Sequence, residues 1–521
     1  MSHALDRALV AGFGRVMSLS GKICRLPVAH DPDRGRDALS ALGLSSGPLA
    51  DLIAGAAGSS FYLSDLLRRE GDWLNEVAEQ APDDVRQTLL EATRSVPDGD
   101  LAPELRRLKR RVALYAGLAD LGGVWALEDV TGFLTDFACA ATDRALKAAV
   151  AHEIARQKLP GQSALDAETA GGLSILAMGK MGADELNYSS DIDLICLFDE
   201  TRFDPDDYGE ARASFVRAVR KMTATLSERT ADGYVFRTDL RLRPDASVTP
   251  VAISMEAAER YYEAFGRTWE RAAYIKASAV AGDIEAGRRF LETLRPFVWR
   301  RHLDFAAIQD AHDMRLRIRD HKGLHKAASH LGHDLKLGQG GIREIEFFTQ
   351  TRQLIAGGRD PDLRVRGTVE GLSVLAAKGW VSSGEAEQLA SDYRSLREAE
   401  HRVQMVADQQ THVLPNSEEE FARLAHLAGQ EPKAYARALE DMFVRVHRLT
   451  EGFFAPGTPV SPKTDHDGVA ELSREIIDRW KGYPALRSER AVEIFRRMEP
   501  VLLDRLAATA RPSEALVNFD G

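Results

Sequence analysis

The sequence predicts an α+β protein, mostly helical, in which a small mixed sheet with its own helices is flanked by helical domains. Three observations predict it. A chain of 521 residues is too long for one hydrophobic core. Most of it carries apolar residues every three or four positions, the period of amphipathic helices. Between residues 173 and 244 that period gives way to short apolar runs bounded by glycine, the pattern of buried strands. With 44 % hydrophobic and 28 % charged residues the chain has material for packed cores, so disorder is not expected.

Residues 1–165 read as an N-terminal helical region. Amphipathic stretches such as SSFYLSDLLRREGDWLNEVAEQ and LAPELRRLKRRVALYAGLADL are punctuated there by Pro82, Pro97, Gly99 and Pro103. The segment QKLPGQSALDAETAGG is a linker by composition and leads into a sheet-bearing domain over 166–310. Within it, LSILAMG at 173–179 and IDLICLF at 192–198 read as strands, and EARASFVRAVRKMTATLSERT as a helix. A third strand is expected in YVFRTDLRLRP at 234–244, with Val235, Arg237, Asp239 and Arg241 on one face. Helical periodicity returns in a bundle over 311–455, interrupted by DLKLGQGGIREIEFF. Residues 456–521 open with the linker-like PGTPVSPKTDHDG and resume as the start of a further helical region.

Charge and cysteine content exclude several classes of function. A formal net charge of -11 opposes binding to phosphate backbones, which needs Lys and Arg to displace counterions, so no nucleic-acid partner is expected. Cys24, Cys139 and Cys196 are far apart, with no C-x-x-C pair, and suggest neither a disulfide framework nor a zinc site. Asp6, Arg7 and Arg15 interrupt the N-terminal apolar residues, leaving no signal-peptide core and no membrane span. A cytoplasmic protein without a membrane partner is therefore expected.

The chemical signal lies in Gly179-Lys180 followed by Asp191-Ile192-Asp193. Residues two apart in a strand project to one face, so Asp191 and Asp193 point together while Ile192 faces the core. Carboxylates held that closely repel unless a dication sits between them, and Mg²⁺ takes oxygen ligands from carboxylates plus substrate phosphates. Asp239 would be the third carboxylate, completing a site for two Mg²⁺ ions. Gly179 permits close backbone approach to a phosphate. Lys180, Ser189 and Ser190 add donors, and Arg237, Arg241 and Arg243 are candidates to neutralise phosphate charge. The plain alternative is a solvated pair of acids. Against it stand the preceding strand, the Gly-Lys turn, the apolar strand that follows and the third aspartate. Asn187-Tyr188-Ser189 matches a glycosylation acceptor, a match that is accidental in a cytosolic chain.

The run AMGKMGADELNYSSDIDLICLF resembles the active-site signature of the bacterial glutamine synthetase adenylyltransferase/adenylyl-removing enzymes. That family is similar in architecture to other nucleotidyltransferases of the DNA polymerase β-like superfamily. The likeness continues through FRTDLRLRP, DLKLGQGGIREIEFFTQTRQLIAGGRDPDLRVRGT and YRSLREAEHRVQMVADQQTHVLP, and so spans residues 40–455. The resemblance implies that 166–310 is the nucleotidyltransferase domain, that Asp191, Asp193 and Asp239 bind metal, and that Gly179 and Lys180 belong to the nucleotide-phosphate loop. A second tract, Lys336, Arg343, Glu344 and Glu346, would approach the cleft, with Gly340 and Gly341 letting the backbone turn. Its alternative is a turn held by surface ion pairs. Arg315, Arg317 and Arg319 spread around a helix and read as a solvated face. His401 and His412 lack metal-ligand spacing and read as structural or surface residues.

Full-length members of that family carry two related units joined by a helical regulatory segment. One attaches AMP to a tyrosine of glutamine synthetase and the other removes it. This chain holds one unit, which suggests a fragment or a single-unit version. GGIREIEF and RVQMVADQQTHVLP resemble the adenylyl-removing unit, whereas a GGxVDxEF-like tract is usual in the attaching unit. The implied reaction is phosphorolysis: phosphate attacks the AMP-O-tyrosine of adenylylated glutamine synthetase, releasing ADP. The resemblance also implies control by the PII signal protein, in uridylylated form, and by 2-oxoglutarate. Transfer in the forward direction from ATP is the first alternative, and a non-catalytic PII-sensing module the second. A template-independent polymerase is disfavoured by the acidic balance.

Overall fold

The structure is a computed structural model that describes residues 17–300 and 329–451. The expected helices over 456–521, and Arg315, Arg317 and Arg319, lie outside the described residues. Ahead of the sheet run α1 (Pro32–Leu42), α2 (Pro48–Ser59), α3 (Phe61–Val77), α4 (Pro82–Arg94), α5 (Leu101–Leu121) and α6 (Leu127–Ala155). Three of these open on proline, where the missing N–H costs nothing, and the Ser60 hydroxyl caps α3 by accepting from the Leu63 amide.

The sheet has five strands of mixed direction. Strand β1 (Leu173–Ala177) lies antiparallel to β2 (Asp191–Phe198) on one side and to β5 (Ser278–Gly282) on the other. Two short strands share the far edge of β2, both parallel to it. The first, β3 (Arg237–Asp239), lies beside Asp191–Asp193, and the second, β4 (Ala252–Ser254), beside Cys196–Phe198. A parallel neighbour requires a crossover, and α7 (Tyr208–Ser227) supplies it between β2 and β3.

Alternation along β2 divides the interior in two. Ile192, Leu194, Cys196 and Phe198 point into a core shared with α3 to α7, whereas Ile195 and Leu197 point into a smaller core under α8 (Met255–Phe265) and α9 (Ile284–Thr293). Asp191 and Asp193 fall on this second face, at the end of the strand that its helices leave uncovered. The expected third strand is shorter than its alternating pattern suggested. Val235 and Phe236 are buried before it begins, and the Asp239 carboxylate accepts from the Arg241 amide at 2.8 Å, turning the chain out of the sheet.

A third core belongs to the helical bundle of α10 (Ile342–Ala356), α11 (Thr368–Ala377), α12 (Ser383–Ala407), α13 (Glu418–Leu427) and α14 (Pro432–Glu451). Helix α12 opens on a capping box in which Ser382 and Glu385 each satisfy the other's backbone. No helix among the described residues is long and apolar enough to cross a membrane.

Candidate active site

The parallel register of β2 and β3 sets Asp193 opposite Asp239 and Asp191 opposite Arg237. One oxygen from each of Asp191, Asp193 and Asp239 lies within 4.8 Å of the other two. Burial, then the neighbouring charges of Asp191 and Asp239, push the Asp193 carboxyl up to about 7, against the opposing pull of Lys336 and Arg241. At Asp239 the hydrogen bonds from Arg241 win over burial and hold the carboxyl below its usual range. These residues fit a divalent cation. They offer oxygen ligands only, and burial together with their mutual repulsion lets Asp193 keep its proton near neutrality, a cost that a dication would relieve. Gly179 closes the site from behind: its φ is +56°, and a Cβ there would meet Asp193 Oδ2 at 3.2 Å.

The other expected site residues divide into two groups. Lys180 is already committed, its amino group 2.9 Å from the fully buried Glu400 carboxylate, and burial brings its pKa down to about 8 despite that partner. Ser189 is buried, its amide donating to Gln404 and its hydroxyl and carbonyl accepting from Arg237. Arg237 thus braces the segment leading into Asp191 and does not project into the cleft. Arg243 is also turned away, donating to the carbonyls of Leu240, Ala246 and Thr249 and so closing the loop after β3. Ser190 remains half-buried beside Asp191, and Arg241 is exposed while paired to Asp239.

In the second tract, the charge of Lys336 pulls the Asp193 carboxyl down against burial and its acidic neighbours. Arg343 is an exposed partner of Glu346, and Glu344 points to His447 and Thr450 on α14. Glu346 is buried 2.8 Å from Lys276, which also binds Glu185 at 2.7 Å. The expected alternative of surface ion pairs therefore fails for Glu344 and Glu346, because both carboxylates are inside the protein.

Sequence reasoning missed the residues that hold the β1–β2 loop. Arg397, Glu400, His401 and Gln404 form one stripe of α12, spaced i, i+3, i+4, i+7, and all are buried. Arg397 donates to the Glu185 carbonyl at 2.6 Å and to the Asn187 side chain. His401 bridges Asn187 at 3.2 Å and Asp120 at 3.0 Å, and Gln404 receives the Ser189 amide. Burial alone would raise the Asp120 carboxyl, but Arg402 and His401 hold it well below the carboxylate range. The spacing was visible in RSLREAEHRVQ, but such a stripe ordinarily faces solvent.

Residues 50–293 match the family described as glutamate-ammonia ligase adenylyltransferase, and residues 312–454 match the family described as GlnD PII-uridylyltransferase. The bifunctional glutamine synthetase adenylyltransferase/adenylyl-removing enzyme of Rhizobium meliloti is 41 % identical, over 100 % of this chain and 56 % of that protein. The protein of the same name from Bradyrhizobium diazoefficiens is 44 % identical over 90 % of this chain and 50 % of its own length, and that of Agrobacterium fabrum 41 % over 94 % and 53 %. The chain spans about half the length of the curated relatives it matches. With a small mixed sheet flanked by helices, the chain is similar over nearly all its length to about half of the bifunctional glutamine synthetase adenylyltransferase/adenylyl-removing enzymes.

Proposed function

We propose that this chain removes AMP from glutamine synthetase: phosphate displaces the adenylylated tyrosine and ADP is released. The observation that carries the reading is the three-aspartate cluster, in a chain whose GGIREIEF tract resembles the adenylyl-removing unit. Asp191, Asp193 and Asp239 would hold Mg²⁺, as two ions. When bound, such ions supply charge neutralisation for the attacking and leaving oxygens. Around them, the chain's own contribution is positioning. The α12 stripe fixes the loop that ends at Asp191, and the exposed Arg241 guanidinium stands at the rim, where an incoming phosphate can compete for it. Phosphate is already ionised near neutral pH, so the nucleophile needs no dedicated base.

Adenylylated glutamine synthetase as substrate, and a cytoplasmic location, are part of the same proposal. Regulation by PII is supported by the likeness of 312–454 to a family described as a PII-uridylyltransferase. The test compares two mixtures. With phosphate and adenylylated glutamine synthetase, Mg²⁺-dependent ADP release is expected. AMP incorporation from ATP into the unmodified enzyme, with no ADP formed in the first mixture, would reverse the assigned direction.

A further inference from the structure

The two strands that carry the aspartates are tied together where they begin. Arg237, at the start of β3, donates from Nη2 to the Ser189 carbonyl at 2.6 Å and to the Ser189 hydroxyl at 2.9 Å. Ser189 stands two residues ahead of Asp191, and Arg237 two ahead of Asp239. From α5, the buried Lys109 amino group reaches the Tyr188 carbonyl at 3.4 Å and lies 4.3 Å from the centre of the Phe236 ring. Because β3 pairs with β2 over three residues only, its backbone ladder offers few bonds to resist displacement. The side chains at this entry therefore bear on the separation of Asp239 from Asp193.

The far end of this tie is Asp408, the residue that ends α12. Its carboxylate accepts from the Tyr234 hydroxyl at 3.1 Å, and that hydroxyl accepts from Arg237 Nη1. A phenol has one proton to donate, so committing it to Asp408 leaves the oxygen lone pairs turned to the guanidinium. Both bonds involve a charged partner and are stronger for it. Asp408 makes its contact from φ +47°, a left-handed conformation that glycine adopts at lower cost than aspartate. Gln404, one turn earlier on the same helix, accepts from the Ser189 amide at 3.1 Å. One helix end thus grips both strand entries, that of β2 through Gln404 and that of β3 through Asp408.

We infer that Asp408 is a positioning residue for the three aspartates. Through Tyr234 and Arg237 it fixes β3 against β2 at the separation in which Asp239 can share a divalent cation with Asp191 and Asp193. This rests on the metal-site part of the proposed function and not on the direction of transfer. Asp408 acts through Arg237 and not as a ligand. Without its carboxylate the Tyr234 hydroxyl is free to turn, Arg237 loses the oriented oxygen that holds it, and the acidic oxygens now within 4.8 Å of one another can spread.

Calorimetric titration of the full chain with Mn²⁺, in the absence of nucleotide, tests the assignment. Asp408→Gly removes the carboxylate while suiting the left-handed backbone, so the urea midpoint should stay close to that of wild type while Mn²⁺ affinity falls about tenfold. Tyr234→Phe leaves the helix end intact and should cost the same affinity. The double variant should bind no more weakly than either single one, because both break one chain of contacts. Asp408→Asn keeps an acceptor oxygen and tolerates the left-handed conformation, and should recover most of the loss. Unchanged Mn²⁺ affinity in Asp408→Gly, or losses that multiply in the double variant, overturns the role. Wild-type affinity retained in Asp193→Asn would place the ion elsewhere and overturn both this role and the metal site. Mn²⁺ binding that depends on Asp408, in a chain that forms no ADP from phosphate, would instead sink the phosphorolytic reading and leave the positioning role standing.

Discussion

Asp193 is the residue at which charge and fold conflict most directly. Its carboxyl titrates near 3.8 in an unfolded chain but at about 7 in the folded, metal-free one. Proton affinity is higher in the folded state, so this group favours folding below about pH 4, and its contribution is lost as pH rises through 7. The loss is at most about 4 kcal/mol, and smaller once solvent relaxation is allowed. Asp193→Asn is therefore expected to raise the melting temperature of the protein in EDTA at pH 8, while lowering ADP formation by at least about 100-fold. A variant that melts lower than wild type in EDTA would contradict the repulsion. Because Mg²⁺ must displace the Asp193 proton, calorimetry should show tighter Mg²⁺ binding and less proton release at pH 8 than at pH 6. Gly179→Ala forces a side chain into the left-handed region against Asp193 Oδ2, an expected cost of about 1–2 kcal/mol by urea denaturation, together with weaker metal binding.

At the scale of elements, the loop between β1 and β2 depends on helix α12. Its polar stripe is fully enclosed and holds the loop through Arg397, His401 and Gln404, while Gln404 Nε2 and Asn187 Nδ2 are buried without a hydrogen-bond partner among the described residues. Burial would raise the Glu400 carboxyl, but Lys180, His412 and Arg397 together hold it well below its ordinary range. Glu400→Gln keeps the shape and removes the charge that balances Lys180 and Arg397. We expect a stability loss of about 3–5 kcal/mol in urea denaturation. ADP formation should fall even at temperatures where the variant stays folded, because Lys180 and the loop behind Gly179 lose their anchor. Unchanged stability and unchanged activity would show that the stripe does not grip the loop.

Across the whole molecule, a buried charge cluster joins the bundle to the sheet-bearing unit. Lys276, just before β5, reaches Glu185 of the β1–β2 loop, Glu346 on α10 and the Thr368 hydroxyl at the start of α11. Burial lowers the proton affinity of Lys276, but Glu185 and Glu346 outweigh it and raise its pKa above the usual value. Conversely, Lys276 and Arg343 hold the Glu346 carboxyl well down against burial. Lys276→Met should destabilise the protein by about 3–5 kcal/mol in thermal or urea unfolding, since the buried Glu346 and the half-buried Glu185 lose their cation. Adding Glu185→Gln and Glu346→Gln should recover part of that loss. Depressed carboxyls favour folding above their unfolded pKa and lose that contribution on acidification. Glu346, Glu400 and Asp120 all lie in this class, so circular dichroism should follow a cooperative loss of structure as pH falls below 4.

How much of this was legible in the sequence depends on how far apart the cooperating residues lie. The strands LSILA and DIDLICLF, the shared face of Asp191 and Asp193, and the helical character of the flanks follow from periodicity, a property of neighbours along the chain. Asp239 was a candidate from its own surroundings, but its place opposite Asp193 is set by the parallel register across the α7 crossover. Arg237 and Arg243 looked like phosphate ligands because arginine beside a strand offers the right chemistry. Which carbonyls would take their donors was decided by the turns at 189 and 240–249. The polar stripe of α12 marks the limit. Local sequence determines that four polar side chains share a face, but whether that face meets water or the β1–β2 loop depends on packing between segments some 200 residues apart, as in Lys180–Glu400 with a separation of 220. Period is local and burial is not, so the sequence alone determined the carboxylates and their strand, and only the tertiary structure decided what holds them in place.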